Sequence, residues 1–380
     1  MKYADEFRDK AIALGLAKAI RAEVDPERPY RFMEFCGGHT HAISRYGLED
    51  LLPKNVRMIH GPGCPVCVLP AGRIDMAIRL AERSEVILCV YGDLMRVPGS
   101  QGASLLKAKA RGADVRMVYS TIDAIRIAED NPEREVVFFA IGFETTTPPT
   151  AVMIRLAEKK QLGNFSVFCN HVLTPPAMQN ILESPDIRNI GRVEIDGFVG
   201  PAHVSTIIGT APYDFFAEEF GKPVVIAGFE PLDMMQAILM LVRQINEARH
   251  EVENQYSRAV TREGNLRAKE EVSDIFELRD QFEWRGLGQV PYSGLKLKRS
   301  YANYDAEVRF DMNEQRVDDN PACECGAILR GVKKPIDCKL FGTVCTPETP
   351  MGSCMVSSEG ACAAHWTYGR FRDHQQRQAS

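Results

Sequence analysis

The sequence predicts an α/β protein with two similar parallel-sheet units followed by an irregular, cysteine-rich C-terminal domain. Three observations carry that expectation. Eight short runs rich in β-branched and aromatic residues alternate with helix-length amphipathic segments, the pattern of parallel strands joined by helical crossovers. Gly-Phe-Glu follows an apolar run twice, at Gly142-Phe143-Glu144 and Gly228-Phe229-Glu230, a weak internal echo that sorts the runs into two groups of four. Six of the eleven cysteines (Cys323, Cys325, Cys338, Cys345, Cys354 and Cys362) fall in the last part of the chain, where aliphatic periodicity fades.

A chain of 380 residues with 45% hydrophobic composition can bury more than one core. Its formal net charge of −5 and scattered Lys and Arg lack the footprint that phosphate binding requires, which argues against a nucleic-acid binder. The segment Met1 to Arg8 is charged and no apolar core follows it, so no signal peptide is expected. The longest apolar passage, around Met234 to Val242, is broken by Gln236 and is too short to span a bilayer. A cytoplasmic protein is expected, and in a reducing compartment an odd number of cysteines reads as metal and redox sites rather than a disulfide framework.

In chain order, an amphipathic helix is expected near residues 4–23, inside an N-terminal segment 1–30. The first α/β domain, 31–125, holds the runs Arg31–Phe35, Val56–His60, Val86–Tyr91 and Val115–Tyr119. The second, 126–230, holds Val136–Ile141, Ser166–His171, Gly197–Gly200 and Val224–Ala227. From Asp233 to about Ser257 the pattern is one long helix, opening a C-terminal domain 231–380 that turns charged and irregular through Trp284-Arg285-Gly286-Leu287-Gly288. After Val308 its order is expected to depend on bound metal, and Phe371 to Ser380 read as a polar, frayed end.

Chemistry is concentrated in two glycine-flanked thiol loops, Cys36-Gly37-Gly38-His39-Thr40-His41 and Gly61-Pro62-Gly63-Cys64-Pro65-Val66-Cys67. Each follows one of two adjacent strands, so both are expected to open on the same carboxyl edge of one sheet. The paired glycines after Cys36 permit a sharp turn, and His39 and His41 lie close enough in sequence to hold or tune a thiolate. A Cys/His nucleophile would also need a substrate pocket and oxyanion donors, which no motif supplies. Cys64 and Cys67 can close as a small disulfide ring, bind a metal through both sulfurs, or do each in turn. Asp93, Glu144 and Glu230 each stand at a strand's carboxyl end, where ligands bind in open parallel sheets; the competing role is to complement a helix dipole. Cys89 and Cys169 read as core residues, His171 and His203 as hydrogen-bonded structural histidines, and Thr145 to Thr147 as helix-capping hydroxyls. The tail has no C-x2-C pair of the kind zinc sites use, whereas iron–sulfur clusters accept thiolates at irregular intervals. The spacing therefore favours an iron–sulfur domain.

Longer segments carry a resemblance: Met33 to Ala42, His60 to Pro70, Gly92 to Gly99, Gly142 to Thr146, Ala227 to Asp233, Glu253 to Tyr256, Glu283 to Gly288 and Met355 to Ala364. In these the chain resembles the HypD family of hydrogenase maturation factors. The resemblance implies an assembly scaffold rather than a stand-alone turnover enzyme. Formed with a small chaperone, HypC, it would hold iron while cyanide delivered by HypE and a carbonyl are added, giving the Fe(CN)2CO group of [NiFe] hydrogenases. It also implies a [4Fe–4S] cluster in the C-terminal domain. Carried over by motif, Cys36 binds the iron being assembled, His39 orients groups around it, and Cys64 with Cys67 form a redox pair. Asp93 and Glu359 lie in shared motifs and join the candidate site. Cys325, Cys338, Cys345 and Cys362 would hold the cluster, with Cys323 and Cys354 extra to that pattern. Two other functions account for part of this: a stand-alone iron–sulfur thiol–disulfide oxidoreductase using Cys64 and Cys67, and a metal-stabilised binding module with purely structural cysteines.

Overall fold

All eight expected strands form, most within a residue or two of the expected bounds. They are β1 (Tyr30–Glu34), β2 (Val56–His60), β3 (Val86–Val90), β4 (Val115–Met117), β5 (Glu135–Gly142), β6 (Phe165–His171), β7 (Gly197–Pro201) and β8 (Val224–Ala227). A ninth, β9 (Val252–Asn254), was not anticipated. The computed structural model describes residues 5–183, 194–313 and 317–369.

Every pairing among these nine strands is parallel, but the grouping departs from two contiguous fours. One sheet has the order β2-β1-β7-β8-β9 and the other β4-β3-β5-β6. The chain lays down β1 and β2, builds the whole four-stranded sheet, and returns to complete the first. The boundary drawn at 125/126 is thus corrected, and the reason lies in β7. Its register with β1 sets Phe32 against Gly197 and Glu34 against Val199. A Cβ on Gly197 would stand 3.0 Å from Pro223 and 3.1 Å from Leu241, so β7 fits between β1 and β8 because Gly197 carries no side chain.

The boundary at 230/231 is corrected as well. The long helix spans Pro231–Asn246 rather than running to Ser257; the chain then turns through Ala248 (φ 53°) into β9. Its buried face, including Met234, Met235, Ile238, Leu241 and Val242, packs with Ala17 and Ile20 against Phe32, Val199 and Val225 of the five-stranded sheet. It therefore belongs to the first sheet's helical layer. The N-terminal helix is interrupted too: Asp9 accepts the N–H groups of Ala11 (2.8 Å) and Ile12 (3.0 Å), which separates a 3-10 turn, Asp5–Arg8, from α1 (Lys10–Glu23).

One core joins the two sheets and the C-terminal region, with Phe35, Phe198 and Ile226 from the first sheet, Leu88, Val137 and Phe139 from the second, and Trp284, Ile328 and Met355 from the third region. That third region starts with two antiparallel pairs, Phe276–Leu278 with Leu295–Leu297 and Gln281–Trp284 with Gly288–Pro291. Short helices and turns follow. The end expected to fray, Phe371 to Ser380, lies outside the described residues. Among the described residues no helix is long and apolar enough to cross a membrane.

Candidate functional site

β1 and β2 run side by side in register, Glu34 opposite His60, so the loops that follow them meet as expected on one carboxyl edge. Gly61 N–H donates to the Glu34 carbonyl (2.9 Å), and Gly37 N–H to the Gly63 carbonyl (3.0 Å). A Cβ on Gly63 would sit 2.3 Å from the Cys36 nitrogen, so the two backbones touch where only glycine fits. Cys36 caps α2 (Gly37–Tyr46), and Cys64 caps the short helix α3 (Pro65–Val68). Cys64 and Cys67 are joined as a disulfide, with Cα atoms 5.2 Å apart.

The Cys36 side chain is only 6% exposed. Burial, followed by the carboxylates of Glu359 and Glu34, pushes its thiol up to about 12; the backbone N–H groups of Gly38 and His39, pointing at the sulfur from the first turn of α2, work in the other direction. The bare thiol is therefore protonated at neutral pH, and a cation at this point would displace a proton. Glu34, which sequence reasoning passed over, holds the loop from below. Fully buried, it accepts the Cys36 N–H (2.9 Å), the Thr40 hydroxyl and His60 Nδ1 (2.9 Å). Burial opposes charge on His60, but the Glu34 hydrogen bond and charge outweigh it and raise the ring's pKa.

His39 is also fully buried. Its Nε2 meets the Ala227 carbonyl at the end of β8 (2.9 Å), and since a carbonyl only accepts, Nε2 carries the proton; Nδ1 has no hydrogen-bond partner among the described residues. Burial lowers its pKa, so the ring is neutral. It reaches the Cys36 sulfur through its backbone N–H, not its ring. The ring packs on Phe229 (5.2 Å between centroids), which also meets His203 (4.0 Å) and Tyr256 (6.3 Å).

A cavity of about 450 Å³ opens between the carboxyl edges of both sheets. Phe35 and Cys36 line it after β1, Gly63, Pro65 and Val66 after β2, Tyr91 to Leu94 after β3, Thr145 and Thr146 after β5, and His203 after β7; Ser357 to Glu359 complete it from the tail. Asp93 and Glu359 are both here, and burial and the charge of Asp93 raise the Glu359 pKa. The other two carboxylates have different duties. Glu144 accepts Thr174 N–H (2.8 Å) and its hydroxyl (3.0 Å) at the start of the helix Thr174–Glu183, with burial pushing it up to about 7. Glu230 caps the helix Pro231–Asn246 and pairs with Arg8 (2.7 Å). His171 is structural, bonded to Thr150 (3.0 Å) and held down to about 4 by burial, whereas His203, read as structural, faces the cavity. Cys89 and Cys169 are buried within β3 and β6.

The tail thiols lie behind the disulfide. Ser353 donates to the Cys67 carbonyl (2.7 Å), and a Cβ on Gly360 would meet Cys67 Sγ at 3.0 Å. The thiols of Cys323, Cys325, Cys354 and Cys362 lie together. Cys345 accepts Met351 N–H (3.4 Å) and has Cys323 and Cys338 as neighbours. Of the four ligands the resemblance implies, Cys325 and Cys362 thus share one thiol group with the two cysteines left over, and Cys338 and Cys345 flank it. Among the described residues no three His, Cys, Asp or Glu side chains stand as a ready metal site. The donor chemistry, several thiols that are nearly all buried, nonetheless suits the soft iron of a cluster.

The chain matches the HypD family model, described as the hydrogenase formation hypA family, over residues 11–369. It is 94% identical over 380 residues, the full length of both chains, to hydrogenase maturation factor HypD2 of Bradyrhizobium diazoefficiens. It is 74% identical to hydrogenase maturation factor HypD of Rhizobium leguminosarum bv. viciae over 373 residues (98% of this chain, 97% of that one). With the corresponding factor of Escherichia coli it shares 50% over 373 residues (97% of this chain, 98% of that one). The chain therefore belongs to the HypD family of hydrogenase maturation factors.

Proposed function

We propose that the chain is a scaffold on which, together with the small chaperone HypC, iron acquires cyanide ligands delivered by HypE and a carbonyl. The observation that carries this reading is the placement of Cys36 and the Cys64–Cys67 loop on one wall of a cavity built from the carboxyl edges of both sheets. Iron is the cargo. The Cys36 thiol gives up its proton to bind it, and the N–H groups of Gly38 and His39 stabilise the sulfur's negative charge. Asp93 and Glu359 stand where a proton leaving that thiol, or a ligand arriving at the iron, can be received.

A [4Fe–4S] cluster held by four of the tail thiols, with Cys325 and Cys362 in the set, would supply electrons one at a time. The disulfide takes up two electrons and two protons to become the Cys64/Cys67 dithiol, and the contact of Gly360 with Cys67 puts the tail beside the sulfur that accepts them. In the partner complex, Cys36→Ala should keep the fold and the tail iron yet lose the cyanide and carbonyl infrared bands. Bands at wild-type intensity would remove Cys36 from the iron.

The stand-alone thiol–disulfide oxidoreductase keeps one observation in its favour, the closed Cys64–Cys67 ring. It assigns no task to Cys36 or to the cavity around it. Iron analysis of the partner complex separates the two, because the scaffold requires iron beyond that of the cluster.

A further inference from the structure

The 3-10 turn Gly92–Arg96, which follows β3, carries Asp93 into the cavity and Arg96 to the C-terminal segment that roofs it. Arg96 Nη1 donates to the Pro347 carbonyl (2.9 Å) and Nη2 to the Val356 carbonyl (3.3 Å). From the other sheet, His41 Nδ1 lies 3.4 Å from the Ser358 carbonyl, and Glu359 presses on Gly37 so closely that a Cβ there would be 2.5 Å from its own Cβ. Beneath, Ser353 is tied to Cys67. Residues 347–360 therefore run as a strap from one sheet edge to the other, over Cys36, which is nearly buried although it must be reached from outside.

We propose that Arg96 is the positioning residue that latches this strap, holding Glu359 beside Cys36 and limiting access to the thiol. A guanidinium suits the task, because its planar fork can serve two carbonyls nine residues apart in sequence, where an ammonium on a flexible stem holds one. The latch deepens the reading of Cys36 as the iron-binding thiolate and rests on it for its purpose. Its test needs no iron, so the two ideas fail separately.

The test is the rate at which iodoacetamide labels Cys36 in the full-length protein, followed by peptide mass spectrometry at one fixed pH. Cys89 and Cys169, buried in strands away from the cavity, serve as internal references. In Arg96→Ala, Cys36 should label about tenfold faster, as expected when charge-assisted hydrogen bonds to the strap are lost. Arg96→Lys should fall between, with Cys89 and Cys169 unchanged in both. A Cys36 rate within about twofold of wild type in a folded Arg96→Ala protein overturns the proposal, as does equal acceleration at Cys89 and Cys169, which would mean general loosening. Should Arg96→Ala fail to fold, Arg96→Lys decides by the same criteria.

Discussion

Glu34 shows how a single buried carboxylate can organise a reactive loop. It stands at the end of β1, in a strand that is otherwise mostly apolar, and satisfies the Cys36 N–H, the Thr40 hydroxyl and His60 at once. Glu34→Ala leaves those donors unpaired and His60 without its counter-charge, so it should cost about 3 kcal/mol in denaturant unfolding. A loss below about 1 kcal/mol would show that the loop holds itself. The pair also sets a pH dependence. Because Glu34 raises the folded-state pKa of His60 above its ordinary value of 6.5, the pair's stabilisation is complete below that value and declines as pH rises through the folded pKa. The stability difference between wild type and His60→Asn should therefore shrink as pH rises above 6.5. A difference that grew with pH would contradict the assignment.

Between elements, the decisive contacts are backbone against backbone. Gly63 lies against the Phe35–Cys36 peptide, and the three nearest atoms that a Cβ would meet all belong to main chain: Cys36 N at 2.3 Å, Phe35 C at 2.5 Å and Cys36 Cα at 2.6 Å. No rotamer change relieves such a clash. Gly63→Ala should force the loops after β1 and β2 apart and destabilise the protein by about 3 kcal/mol, the upper end of overpacking costs. Unfolding in guanidinium reads the loss, and a variant as stable as wild type would mean that these loops slide past one another freely. The two Gly-Phe-Glu turns illustrate the same level from the other side. They look alike in sequence, yet Glu144 and Glu230 both cap helices, and only Asp93, at the end of β3, is left to line the cavity.

For the whole molecule, the main consequence of the topology is that the five-stranded sheet is not finished by a sequence-contiguous domain. β1 and β2 find their partner β7 only after the four-stranded sheet has been made, and one core holds residues from both sheets and the tail. Residues 1–125 expressed alone therefore lack the neighbours that bury Phe32 and Phe35 and should remain unfolded or aggregate. A soluble fragment with dispersed amide NMR signals and a cooperative transition would restore the contiguous division. The same interleaving places the cavity: two sheets that face each other through one core bring their carboxyl edges to a common opening, and the tail closes it.

The sequence by itself determined which segments are strands, with β2 and β8 matching residue for residue, because side-chain periodicity and β-branched content act locally. It also determined the chemistry on offer and the nearness of Cys36 to Cys64, since consecutive parallel strands put their following loops on one edge. Only the tertiary structure decided the rest. Strand partners depend on complementarity between residues far apart in the chain, such as Gly197 under Leu241, which leaves no local signature. Whether a carboxylate caps a helix, as Glu144 does, or faces a cavity, as Asp93 does, depends on what lies opposite it. The strand β9 is too short for periodicity to register. Glu34 was the one hidden residue with a visible signal, an acid in an apolar strand; the approach of the tail thiols to Cys67 had none, because turns without periodicity encode no direction in space.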